Sequence, residues 1–343
     1  METADIIKTA SVLLGTELSE PVDLGGSNRS TVLRVRTAER GTVILKAHGD
    51  EREYLAERGG LRFTDLGPRL LAAEDGLRLI VMEDLGGHRN LADVLLGGDE
   101  AAARAALVEW AAVYGRLAAA SVGREHELPA RTDEPWLREY GAKFAALLDG
   151  LGIEAPDIDE VVTALEQDRF RVFSPGDICP DNNLLTPGGL RPIDFEDAGF
   201  HSVFLDAAYT RMPFATCWCV FRLPKMFSLE AERAYRGEVV TAYPELADDR
   251  VWRPGIRLAT VAHVALMSAL LFERVREEDQ PMHRSRPEVP SIRTILRYRW
   301  DTTAAALERA GELPAFAAAF RALLAATEHW HTADLPVYPA LRD

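Results

Sequence analysis

The hydrophobic pattern changes at Gly86-Gly87, and this change restricts the chain to a two-part α+β fold. Before this point, Thr31–Arg36 alternates apolar and polar residues and Gly41–Lys46 is a β-branched run after a turn, which together predict a hairpin. Two further strands and one inserted helix are predicted in the same part. After Gly86-Gly87, Ala- and Leu-rich segments have helical spacing. We therefore expect a small antiparallel-sheet lobe with one helix (residues 1–87) and a larger, mainly helical lobe (residues 88–343).

Composition excludes several classes of protein. The 343 residues are 47% hydrophobic, which is enough to fill two lobes and excludes a disordered chain. The net charge of −15 argues against nucleic acid polymers and anionic membranes as partners. The three cysteines, Cys179, Cys217 and Cys219, lack the spacing typical of disulfide-stapled or zinc-binding domains, and no signal-peptide pattern begins the sequence. We expect a cytoplasmic protein that does not contact membranes, and the oligomeric state stays open.

Three polar residues in a Gly- and Pro-rich segment carry the strongest chemical signal. Asp177 is followed by Asn182 five residues later and by Asp194 twelve residues after that, and apolar strand-like pieces flank the segment. Carboxylate and amide oxygens are hard ligands suited to Mg²⁺, which proteins commonly bind together with substrate phosphates. One of the two carboxylates could equally serve as a general base.

These residues resemble the aminoglycoside phosphotransferase and choline kinase-like family, which shares the protein-kinase fold. Gly176-Asp177 with Asn182 is similar to the family's catalytic loop, and Asp194-Phe195-Glu196 is similar to its metal-binding motif. Asp206 matches an aspartate that supports the catalytic loop in that family. The resemblance implies that Asp177 is the catalytic base and that Asn182 and Asp194 bind Mg²⁺.

The first lobe extends the resemblance to a nucleotide site. Lys46 ends a strand-like run, where the kinase fold has the lysine that holds the α- and β-phosphates. Its expected partner is Glu57, with Glu53 as the reserve, although Gly59-Gly60 weakens the predicted helix. The remaining nucleotide-binding candidates are a phosphate-covering loop and a hinge whose backbone would bind the purine edge, namely Gly25, Gly26 and Ser27, and Glu83, Asp84 and Leu85.

The resemblance implies a Mg²⁺-dependent kinase that transfers the γ-phosphoryl group of ATP or GTP to a small-molecule hydroxyl. The most plausible acceptor is an antibiotic (aminoglycoside, nucleoside-type or macrolide), giving resistance. The alternatives are a metabolic kinase of a sugar or amino alcohol and a nucleotide-binding pseudokinase, the latter because Pro175 replaces the family's histidine before Gly176. Candidates for acceptor binding follow the metal aspartate, namely Glu196, Asp197, His201, Arg211 and Trp218.

Overall fold

A five-stranded antiparallel sheet forms the first part of the chain. The computed structural model describes residues 2–25, 30–39, 41–128, 135–214, 216–283, 286 and 288–342. The strands are β1 (Leu18–Asp23), β2 (Ser30–Thr37), β3 (Thr42–His48), β4 (Leu70–Glu74) and β5 (Leu79–Glu83). The strand order is β1-β2-β3-β5-β4, and the predicted hairpin is confirmed, with Thr31 opposite Ala47.

One helix packs on each face of this sheet. Helix α1 (Thr3–Leu14), which the sequence analysis did not predict, buries Ile6 and Ala10 in a cluster with β2, β3 and β5. Helix α2 (Glu51–Phe63) is the predicted inserted helix, and it packs into the main core of the protein. The Asp50 carboxylate caps α2 by accepting from the backbone N–H groups of Arg52 and Glu53.

The second part is mainly helical and carries two small two-stranded sheets. In chain order the elements are α3 (Leu91–Leu95), α4 (Glu100–Ser121), α5 (Pro135–Gly150), α6 (Ile158–Glu166), β6 (Arg171–Ser174), β7 (Asn183–Thr186), β8 (Gly189–Pro192), β9 (Gly199–Ser202), α7 (Val203–Ala207), α8 (Lys225–Val239), α9 (Asp249–Val275), α10 (Ile292–Ala310) and α11 (Pro314–Ala326). The long helices α4 and α9 belong to its core, and the two sheets pair β6 with β9 and β7 with β8. The predicted α+β architecture is therefore confirmed.

Among the described residues, α9 is the one helix long and apolar enough to cross a membrane by length and composition. Its apolar window is 67% buried inside the fold. Long helices at the centre of globular proteins pass the same test because they are hydrophobic on every side. We assign α9 as a core helix.

Burial of His263 on α9 makes stability depend on pH. Burial lowers the pKa of this histidine to about 4, against about 6.5 in an unfolded chain. Below pH 6.5 the unfolded state therefore binds more protons, and the folded state loses stability as the pH falls from 6.5 towards 4. The contribution of His263 should fall by about 2 to 3 kcal/mol between pH 7.5 and 4.5.

Urea unfolding of the wild type and of His263→Gln at these two pH values checks this expectation. Glutamine does not titrate, so other ionisable groups cancel in the comparison. The wild type should lose more stability on acidification than the variant. Equal losses in the two proteins would contradict the assigned role of His263.

Candidate active site

Lys46 lies at the centre of a buried group of charges between the two parts. Its Nζ is 2.7 Å from Glu57 Oε2, 2.5 Å from Asp194 Oδ1 and 3.1 Å from Glu196 Oε2. Burial lowers the pKa of Lys46, but Glu57, Asp194 and Glu196 outweigh burial and raise it, so the side chain stays an ammonium ion. Glu57, rather than Glu53, is therefore the ion-pair partner of Lys46. His48 Nε2 lies 2.9 Å from the same Glu57 oxygen.

The absence of a side chain at Gly60 lets α2 approach the segment that carries Asp194. A Cβ atom at Gly60 would lie 2.8 Å from the Cβ of Ala198 and 2.9 Å from a ring carbon of Phe195. Helix α2 runs through Gly59-Gly60 despite the low helix propensity of glycine. The close packing explains why glycine occupies position 60, although it weakened the prediction of helix α2 from the sequence. The same packing keeps Glu57 within reach of Lys46.

The turn that carries Asp177 is held by polar contacts beneath it. Gly176 has a φ of +90°, and a Cβ there would lie 2.3 Å from the carbonyl oxygen of Asp197, so glycine is required. The buried Ser174 hydroxyl accepts from Gly176 N–H (3.0 Å) and donates to Asp206 Oδ1 (3.0 Å). His201 Nε2 lies 3.0 Å from the same Asp206 oxygen.

These contacts bear on two expectations. Pro175 has no polar side chain, and Ser174 with Asp206 supplies a buried polar link for the turn instead. His201 was predicted to bind an acceptor, but only 8% of it is exposed, and β9 pairs it with Val172 of β6. The structure therefore places His201 in the packing that supports the turn.

Asp177 has the environment expected of a proton acceptor. Burial, followed by the nearby Asp181, Asp194 and Asp197, raises the pKa of its carboxyl to about 7. A general base works best when its pKa is near the operating pH. Asp177 Oδ1 accepts weak hydrogen bonds from Cys179 N–H (3.3 Å) and the Thr216 hydroxyl (3.4 Å).

Asn182 and Asp194 offer oxygens that fit a divalent cation. The Asn182 amide nitrogen donates to the carbonyl oxygen of Asp177 (3.3 Å), which leaves its Oδ1 as an acceptor. Asp194 has a φ of +66°, a conformation that is strained for residues other than glycine and is concentrated at functional sites. Burial raises the pKa of the Asp194 carboxyl, and the nearby Glu57 and Glu196 raise it further. Lys46 lowers it, but the net result is a pKa of about 6. This excess of negative charge and the hard oxygen donors suit Mg²⁺.

The predicted hinge side chains are already engaged. The Asp84 carboxylate accepts from Arg34 Nε (2.7 Å), the Thr42 hydroxyl (2.5 Å) and Gly86 N–H (2.9 Å). One oxygen of Glu83 accepts from Arg69 N–H at 3.2 Å. Any purine recognition by this segment, Leu85 included, would therefore use backbone atoms. Of the predicted phosphate-covering loop, Gly25 is described, whereas Gly26 and Ser27 lie outside the described residues.

The predicted acceptor-binding residues divide into separate groups. Glu196 contacts Lys46 (3.1 Å), and Asp197 lies 3.4 Å from Arg52. Trp218 Nε1 donates to Asp181 Oδ2 at 2.6 Å, beside the Asp177 turn. Arg211 instead forms a bidentate pair with Glu232 (2.6 and 2.8 Å). Because Glu232 already neutralises Arg211, this arginine is not a free cation.

One covalent bond at the site was not predicted from the sequence. Cys179 and Cys217 form a disulfide across a separation of 38 residues, with Cα atoms 5.6 Å apart, while Cys219 is a buried free thiol. The cysteine spacing, which is not typical of disulfide-stapled domains, did not predict this pair, because residue 217 comes beside the Asp177 turn only through tertiary packing.

Comparison with known proteins identifies the family. A model of the phosphotransferase enzyme family matches residues 19–248, about two thirds of the chain. The chain belongs to the phosphotransferase enzyme family. No curated protein matches the sequence. The family match confirms the resemblance stated from the motifs, and with it the expectation of a phosphotransferase.

Solved structures share the fold of this phosphotransferase family member at low sequence identity. Choline kinase from Cryptosporidium parvum Iowa II superposes with a TM-score of 0.58 at 13% identity, covering 91% of this chain and 98% of that one. The amicoumacin kinase hAmiN, solved with AMP-PNP, Ca²⁺ and Ami, gives 0.52 at 14% identity, covering 89% and 94%. The streptomycin–ATP–APH(2")-IIa complex gives 0.51 at 15% identity, covering 80% and 93%. The protein-kinase-like fold is thereby confirmed.

Proposed function

We propose that this protein is a Mg²⁺-dependent kinase that transfers the γ-phosphoryl group of ATP or GTP to a hydroxyl group of a small molecule. The observation that carries the proposal is the convergence of Lys46, paired with buried Glu57, on Asp194. The raised pKa of Asp177, caused by burial and partly by Asp194, supports the same site. Phosphoryl transfer needs this combination of phosphate alignment, charge neutralisation and an oriented nucleophile.

The geometry of the described residues supports the roles proposed for Lys46, Asp177, Asn182 and Asp194. Lys46 would align the phosphates, because its ammonium is held between carboxylates from both parts of the chain. Asn182 and Asp194 would hold Mg²⁺, which supplies charge neutralisation on the phosphates when it is bound. Asp177 would orient the acceptor hydroxyl and accept its proton. Gly25 to Ser27 would cover the phosphates, and the backbone from Glu83 to Leu85 would contact the purine.

An antibiotic that carries amino groups is the acceptor we favour. Asp181, Asp194 and Asp197 act on Asp177 together and make its surroundings negative, which attracts a cationic acceptor. Arg211 does not oppose this preference, since Glu232 neutralises it. The fold is shared with kinases solved with streptomycin and with Ami. Phosphorylation of such a compound would confer resistance to it. The cytoplasmic location of the protein stays a prediction.

A metabolic kinase of an amino alcohol is the second candidate, because the same negative surroundings would accept a small cationic alcohol. The fold is also that of a choline kinase. The pseudokinase alternative rests on Pro175. The polar link from Ser174 to Asp206 argues against it, since the turn has buried support although no histidine precedes Gly176.

Calorimetric titration of ATP and GTP, with and without Mg²⁺, tests the nucleotide site. Metal-dependent binding of one nucleotide is expected for the wild type, and Asp194→Ala should abolish it. Asp149→Ala, which removes an exposed carboxylate on α5, is the matched control and should bind as the wild type does. A folded protein that binds neither nucleotide would contradict the proposal. If a nucleotide binds, antibiotics with amino groups and amino alcohols are then tested as acceptors, and the gain of one phosphoryl group by the compound is measured.

A further inference from the structure

Three consecutive residues, 216–218, each contact one residue of the Asp177 turn, and the residues contacted are Asp177, Cys179 and Asp181 in that order. The Thr216 hydroxyl donates to Asp177 Oδ1 (3.4 Å), Cys217 is disulfide-bonded to Cys179, and Trp218 Nε1 donates to Asp181 Oδ2 (2.6 Å). We call residues 216–218 the clamp segment. One hydrogen bond, one covalent bond and a second hydrogen bond thus connect the clamp segment to the loop that bears the proposed base.

Contacts with buried residues hold the clamp segment in place. Tyr209, which is 3% exposed, has its hydroxyl 2.9 Å from the Thr216 hydroxyl. The Thr216 hydroxyl also lies 3.5 Å from Cys179 Sγ. Both disulfide cysteines are buried, with Cys179 3% and Cys217 2% exposed. The disulfide therefore joins two packed segments, and the weak contact of Thr216 with Asp177 depends on their separation staying fixed.

We propose that the clamp segment is a positioning element for Asp177, and that its Cys179–Cys217 disulfide makes phosphoryl transfer depend on the thiol redox state. The inference rests on the proposed function. Thr216 and Cys217 are positioning residues here, because they act through Asp177 rather than on the substrate. Reduction by a dithiol breaks the S–S bond. Two electrons and two protons pass to Cys179 and Cys217, giving two thiols, and the dithiol becomes a disulfide.

Opening the disulfide should affect chemistry more than nucleotide binding. Near-attack geometry is sensitive to displacements of about 1 Å, which can cost about 10²-fold in rate. The proposed nucleotide and metal contacts, which are Lys46, Asn182, Asp194 and the hinge, lie outside the clamp segment. We therefore expect reduction to lower kcat about tenfold or more, with less than a twofold change in nucleotide affinity. A purely structural loss would lower both together.

The test compares oxidised and dithiothreitol-reduced wild-type protein, with thiols counted by alkylation under denaturing conditions and mass spectrometry. One thiol is expected after oxidation and three after reduction. Reduced protein should show the loss in kcat, and reoxidation should restore it. Cys217→Ser should have the low kcat and no response to dithiothreitol. Cys219→Ser, which removes the buried cysteine outside the disulfide, is the matched control and should keep the response.

Conservative substitution separates positioning from packing. Thr216→Ser keeps the hydroxyl and should retain kcat, whereas Thr216→Val keeps the shape and should lower it with nucleotide affinity unchanged. The proposal is overturned if protein with three counted thiols keeps its kcat, or if three thiols are found after oxidation. If the oxidised wild type transfers phosphate to no acceptor and does not bind nucleotide, the proposed function itself is refuted, and this inference fails with it.

Discussion

Replacing Asp177 by asparagine is expected to lower kcat by about 10²-fold or more, the usual contribution of a general base. Asparagine has nearly the same shape as aspartate, and its Oδ1 can still accept from Cys179 N–H and the Thr216 hydroxyl. The amide cannot take a proton from an acceptor hydroxyl. The substitution therefore removes the proposed chemistry while it keeps the contacts of the turn.

Nucleotide affinity distinguishes this effect from a general disturbance of the site. The proposed nucleotide contacts come from Lys46, Asp194 and the hinge, so Asp177→Asn should bind nucleotide as the wild type does. Asp149→Asn, on the exposed surface of α5, is the control for a change of one charge. Steady-state kinetics with the true acceptor and calorimetry with nucleotide give the two readouts. Turnover near that of the wild type would show that Asp177 is not the base.

Local sequence patterns were sufficient for the parts of the molecule in which neighbours along the chain also meet in space. The alternation in Thr31–Arg36 and the β-branched run before Lys46 predicted the hairpin, which the structure confirms, but they did not predict that Lys46 is buried. The spacing of Asp177, Asn182 and Asp194 predicted a set of oxygen ligands, and their part in metal binding stays a prediction. In each case a short-range pattern carries the information.

Contacts between distant segments were beyond these patterns. His201 follows Asp194 closely in sequence, but the pairing of β9 with β6 sets its side chain beneath the Asp177 turn. Arg211 was named as an acceptor-binding candidate, and its ion-pair partner Glu232, on α8, lies 21 residues away and was not predicted. The disulfide between Cys179 and Cys217 depends on tertiary packing across 38 residues. The glycine at position 60 is explained by the close approach of α2 to Phe195 and Ala198, which leaves no room for a Cβ atom.

Replacing Lys46 by methionine is expected to destabilise the fold and to abolish turnover, and the two effects have different causes. Glu57 is 1% exposed, and burial raises its pKa while Lys46 and His48 lower it more, so the carboxylate stays ionised through these partners. Removing one partner of a buried ion pair leaves an uncompensated charge, which typically costs about 3–5 kcal/mol. Turnover is lost because the phosphates lose the cation that would align them.

The double variant Lys46→Met, Glu57→Gln separates stability from function. Glutamine removes the uncompensated charge, so urea unfolding should recover a large part of the lost stability, because the two sites are in contact and their effects are not additive. Turnover should remain absent, since no substitution restores the phosphate-aligning cation. Lys143→Met removes the cation of an exposed pair with Glu139, and this control should match the wild type in both measurements. Recovered turnover in the double variant would show that Lys46 has a structural role only, and equal destabilisation of the single and double variants would show that the charge of Glu57 is not the cause.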